Sequence, residues 1–122
     1  MVEKVESRLT DSLDFPKILF KQVSLILDAR NSGDTDSYIR NVEGLDHLMF
    51  YFWDDDYKKN VNNVGEMFKA NMGKIPNPGG EREKVMRLQA KYNYAQGIFK
   101  ALMSLVGRCG FLPFREFTVI ID

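Results

Sequence analysis

The 122-residue chain holds one cysteine, one histidine and one tryptophan, and these scarcities exclude whole classes of chemistry. A single cysteine, Cys109, has no partner for a disulfide within the chain, which is compatible with a reducing compartment. In Gly107-Arg108-Cys109-Gly110 it has no histidine or helix start beside it in sequence, so it reads as a small buried residue rather than a reactive thiol. A single histidine, His47, cannot supply the paired Glu-x-x-His sets of a dinuclear carboxylate bundle, although Glu43, Asp46 and Asp54 to Asp56 surround it. One His and one distant Cys also fall short of a zinc tetrad. His47 therefore reads as a partly exposed residue at the edge of an apolar helix face. The acids between Asp28 and Asp36 lack the alternation, central glycine and closing glutamate of a calcium loop.

Other absences act the same way. No stretch approaches the ~20 apolar residues that cross a bilayer. The N-terminus mixes charges of both signs where a signal peptide would carry basic residues followed by an apolar run, so the expectation is a cytoplasmic protein with no membrane contact. Neither Ser104 nor Cys109 has His47 near it in sequence to act as a base. Pro78-Gly79-Gly80 stands where a phosphate cradle would open, but Glu81 and Glu83 fill the following first turn and repel phosphate. No catalytic residue, metal ligand or cofactor is assigned, and no small-molecule substrate is evident.

What the chain does have is helical periodicity. With 44% hydrophobic and 28% charged residues it has the composition of a globular protein, and its length fits a single domain over residues 1–122. Pro16 opens a helix that places Ile18, Leu19, Val23, Ile26 and Leu27 on one side, ending at Asn31-Ser32-Gly33. Asp34 or Asp36 caps the next, with Tyr38, Val42, Leu45, Met49 and Phe52 inward. Asp54 to Asp56 start a third, their charge favourable at the positive end of its dipole; it buries Tyr57, Val61, Val64, Met67 and Phe68. Lys74 to Gly80, with two prolines and two glycines, is the clear loop.

The fourth helix is written on two faces. Val85, Leu88, Tyr92, Ala95, Phe99, Leu102 and Val106 recur at steps of three and four, a line that is expected to be buried throughout. A second line, Ala90, Asn93, Gly97, Ala101 and Ser104, uses small residues that let another backbone approach. Between Ile98 and Val106 apolar residues almost encircle the helix, so that half must be enclosed by its own chain or by another.

Net charge is zero, but residues 1–56 carry six basic against twelve acidic side chains, and residues 57–110 carry ten against three. Either acidic and basic helices screen each other inside one bundle, or the halves face apart and attract copies or an acidic partner. Lys58, Lys59, Lys84, Arg87 and Lys91 are the candidate phosphate contacts if that partner is a nucleic acid.

The expected fold is all-α: an antiparallel bundle of four main helices near 16–31, 35–53, 55–72 and 80–107. A short N-terminal helix over 2–13 and an extended C-terminal tail, rich in aromatic and β-branched residues, complete it. The expected function is a non-enzymatic protein–protein interaction or assembly module, a homo-oligomer or the binder of another protein. Its surface would be Ala90, Asn93, Gly97, Ala101 and Ser104 of the long helix. The alternative is an accessory nucleic-acid-binding protein.

Overall fold

The computed structural model describes residues 15–110 and shows an all-α protein, with four α-helices and no strand among them. The N-terminal helix and C-terminal tail expected from the sequence lie outside the described residues. Helix α1 runs Phe15–Ser32, α2 Thr35–Leu48, α3 Asp55–Gly73 and α4 Glu81–Arg108, with a 3-10 turn at Phe50–Phe52. None is long and apolar enough to cross a membrane.

Local chemistry sets the boundaries. Pro16 lies in the first turn of α1, and Gly33, at a φ of 76°, takes the left-handed conformation that turns the chain into α2. Of the two candidate caps Asp34 is the one used: its carboxylate accepts from the Ser37 amide at 3.1 Å and from the Ser37 hydroxyl at 2.8 Å. These bonds hold the Asp34 carboxyl below its usual range. Asp54 caps α3 by accepting the Tyr57 amide at 2.7 Å, and the Glu83 carboxylate reaches back to the Gly80 amide at 2.9 Å to close the start of α4.

The second helix ends earlier than its apolar pattern suggests. Instead of continuing to residue 53, the chain leaves the α-helix after Leu48 and tightens into the 3-10 turn. Asp54 must adopt an extended backbone to cap α3, at ψ 178°, so the connection has to unwind before it. The cost falls on Phe50 and Tyr51, which remain 56% and 86% exposed, while Phe52 turns back to stack on Phe15 at 5.3 Å.

The helices pack in the spatial order α1, α2, α4, α3, each neighbouring pair antiparallel or joined across the core. The core holds Phe15, Leu19, Val23 and Ile26 from α1, Tyr38, Val42 and Leu45 from α2 with Met49 just after it, and Phe99, Leu102, Leu105 and Val106 from α4. Each of these is at most 2% exposed. Burial at ~25 cal/mol per Å2 of apolar surface makes this cluster the main source of stability. Helix α3 packs chiefly against α4 and fully buries only Tyr57.

Length mismatch gives the molecule its shape. At 1.5 Å rise per residue α4, with 28 residues, spans about 42 Å, whereas α2, with 14, spans about 21 Å. The α1–α2 hairpin therefore covers only the C-terminal part of α4, and the N-terminal part projects beyond it with α3 and the loop before α4 alongside.

Candidate functional site

The two lines on α4 have different neighbours. The small-residue line faces α3 of the same chain: a Cβ built on Gly97 would stand 2.9 Å from Cγ1 and 3.0 Å from Cγ2 of Val64. Ala90 and Ala101 are buried at 6% each, while Asn93 and Ser104 are exposed at the margins. Close approach of two backbones is what small residues permit, and here that approach is intramolecular. Ser104 accepts a hydrogen bond from Arg108 at 2.7 Å, and Asn93 accepts one from Gln89 at 3.0 Å.

The large apolar line departs from its expected burial. Ala95, Phe99, Leu102 and Val106 are enclosed as the periodicity requires, and Tyr92 is half-buried, stacking on Tyr38 at 5.1 Å. Val85 and Leu88, however, are 66% and 44% exposed. Tyr38 lies in the first turn of α2, so the α1–α2 hairpin ends level with Tyr92, and the next two turns of the line project past it. Met67 of α3 is likewise 67% exposed rather than buried. The inward line of α3 runs through Tyr57, Val61, Val64 and Phe68, and Met67, one residue before Phe68, lies about 100° round the helix from it.

The basic residues do not form one stripe. Lys58 and Lys59 open α3 at the end of the molecule near Asp54, whereas Lys84, Arg87 and Lys91 lie on the projecting part of α4. Taking Gly97 opposite Val64 as the antiparallel register, the two groups are roughly 25 Å apart along the hairpin. Lys84 pairs with Glu81 at 3.4 Å, and Arg87 donates to the Pro76 carbonyl at 2.7 Å, which ties the loop to the helix. Among the described residues none of Lys84, Arg87 and Lys91 pairs with an acid of α1 or α2.

A link between acidic and basic halves does exist at the opposite end. The Arg108 guanidinium donates to both Asp54 oxygens, at 2.7 and 2.8 Å, fastening the C-terminus of α4 to the cap of α3. That hydrogen bond, with the Tyr57 amide second, lowers the Asp54 carboxyl to about 2. Cys109, next in sequence, is partly buried, and burial raises its thiol above the ordinary value. His47 is exposed, and no group of three or more potential metal ligands occurs among the described residues.

One feature had little signal in the sequence. Between α2, α3 and α4 lies a cavity of about 180 Å3, with Trp53, Tyr57 and Tyr94 on its walls and Glu43 and Asp46 at its edge. The Tyr57 hydroxyl, on a side chain 1% exposed, donates to Asp46. Burial, reinforced by that carboxylate, raises the phenol well above its usual range.

No family model matches the chain, and no curated protein or solved structure is detectably similar to it.

Proposed function

We propose that the protein is a non-enzymatic assembly module that self-associates through the projecting half of α4. The observation that carries this reading is the continuity of its apolar line: the side that is fully buried at Phe99 and Leu102 continues to Leu88 and Val85, which remain 44% and 66% exposed among the described residues. An apolar line built to core standard for about three turns and then left in water is unfavourable by the transfer free energy of its exposed side chains, and a partner recovers it.

The occupant we assign is a second copy. Two projecting helices laid antiparallel about Leu88 set each Leu88–Val85 segment against its equivalent, an isologous contact that closes on itself. The charges favour this arrangement. Lys84 and Lys91 flank the exposed line without partners in α1 or α2, and Asp28, Asp34 and Asp36 are exposed at the α1–α2 turn, level with Tyr92. The antiparallel arrangement brings the basic tip of one copy to the acidic turn of the other, so charges that have no partner across the halves at this end of the chain find one between chains. This moves the contact from the small-residue line, which α3 occupies, to the large apolar line beside it.

Sedimentation or light scattering of the full chain from micromolar to submillimolar concentration tests the reading. The expected result is a concentration-dependent dimer that weakens as salt rises, and a monomer for Leu88→Asp, whose exposed position leaves the core untouched; circular dichroism checks that it stays folded. A wild type that is monomeric throughout, or a Leu88→Asp mass equal to wild type, overturns it. Co-purification of nucleic acid released by salt, with loss of retention in Lys84→Glu/Lys91→Glu, would replace it with the accessory nucleic-acid reading.

A further inference from the structure

The cavity between α2, α3 and α4 has a chemistry separate from the assembly surface. Its walls are aromatic and aliphatic: Trp53 and Tyr57 stand with ring centroids 5.3 Å apart, Tyr94 closes the α4 side, and Ile98 lies behind them. Glu43 and Asp46, three residues apart and so on one face of α2, bring two carboxylates to it. No lysine or arginine lines it. Among the described residues no basic side chain forms an ion pair with either acid.

Two acidic residues beside aromatic rings, with no ion-pair partner among the described residues, favour a ligand of one sign. Anions are repelled by both carboxylates. A hard divalent cation needs more oxygen ligands than two carboxylates on one side provide, and it would gain little from the aromatic walls. An organic ammonium suits both parts of the site, because its weakly hydrated charge is attracted by ring faces and by carboxylates at once. Size agrees: a cavity of ~150 Å3 accommodates benzene, so about 180 Å3 accommodates a ring or short branched chain bearing an ammonium group. The Asp46 carboxylate is preorganised for this role by the Tyr57 hydroxyl, which fixes one oxygen and leaves the other available.

We infer that this cavity binds a small organic ammonium ion, with the apolar part between Trp53, Tyr57 and Tyr94 and the charge at Asp46 and Glu43. The chain's single tryptophan is in the wall, so its fluorescence reads occupancy directly. Benzylammonium is the probe, and benzyl alcohol its neutral counterpart of nearly equal shape. The expected result is saturable change in Trp53 emission with benzylammonium, at an affinity about tenfold above the alcohol. Glu43→Gln, at an exposed position, should lower the ammonium affinity severalfold, and Glu43→Gln/Asp46→Asn should reduce it to that of the alcohol. An absence of saturable change with benzylammonium overturns the inference. So does equal affinity for the two probes, or an affinity that Glu43→Gln leaves unchanged in a protein whose circular dichroism matches wild type.

Discussion

Gly97→Ala separates helix propensity from packing, because the two act in opposite directions at this position. Alanine inside a helix is favoured over glycine by about 0.8–1 kcal/mol. Gly65, inside α3, has nothing within 4 Å of an added Cβ, so Gly65→Ala should realise most of that gain. At Gly97 the added carbon meets two Val64 methyls at 2.9 and 3.0 Å, closer than van der Waals contact allows. Val64 is β-branched, and one χ1 rotamer dominates in a helix, so its methyls cannot rotate away without leaving that well. Relief comes from rotamer strain or from widening the α3–α4 spacing, and overpacking of this kind costs about 1–3 kcal/mol. The balance runs from nearly neutral to about 2 kcal/mol destabilising, so the two alanine variants should differ by roughly 1–3 kcal/mol.

Urea unfolding followed by far-ultraviolet circular dichroism measures both. A double-mutant cycle supplies the mechanism: Val64→Ala should cost less, or even help, in the Gly97→Ala background, with a coupling of about 1 kcal/mol or more. Gly97→Ala gaining as much stability as Gly65→Ala, with no coupling to Val64, would show that α3 does not lie against the small-residue line. That line would then be free for a partner, as its sequence alone allows.

Three further expectations concern polar groups. Tyr57→Phe removes the donor to Asp46 and should destabilise by about 1–2 kcal/mol, whereas Tyr38→Phe removes a buried hydroxyl with no partner among the described residues and should be neutral or stabilising by up to ~1 kcal/mol; the reverse order in denaturant midpoints would refute both assignments. The Asp54 carboxyl, lowered from 3.8 to about 2 in the folded state, contributes stability that is complete above the higher value and is lost as pH falls through the lower. Melting temperature should therefore fall more steeply between these pH values in wild type than in Asp54→Asn, and parallel curves would refute the Arg108 clamp. The Tyr38 hydroxyl, raised from 10.0 to about 12 mainly by burial, should give a late step in ultraviolet titration that Tyr38→Phe removes, and a curve that the substitution leaves unchanged would refute the burial.

How much was legible depends on whether the deciding information lies within one element or between several. Helix positions were legible because each has a local cause: Pro16 at a first turn, Asp34 or Asp36 as a cap, the acids Asp54 to Asp56 at a positive dipole end, the Lys74 to Gly80 loop. The inward lines of α1 and α2 were legible because each of these helices has a neighbour along the length of its apolar side. The same rule failed at Val85, Leu88 and Met67, since periodicity records which side a residue is on and not whether a neighbour reaches that far. The helix lengths held the correction: a line of 28 residues cannot be covered by a helix of 14.

The small-residue line shows a second limit. Gly97 and Ala101 encode close approach, but nothing in their spacing distinguishes α3 from a foreign helix, and only the Val64 contact decides. The cavity shows a third. Trp53, Tyr57 and Tyr94 each have a sufficient reading as ordinary core residues, and the Glu43–Asp46 pair is unremarkable on a helix whose other side is apolar. Their chemistry appears only when the turn at Phe50–Phe52 swings Trp53 and Tyr57 back over α2, just before Asp54 takes its extended conformation and caps α3. Asp54 accepts the Tyr57 amide, so the helix cap and the aromatic wall share a residue. Moving that cap should move the cavity, even though Asp54 does not line it.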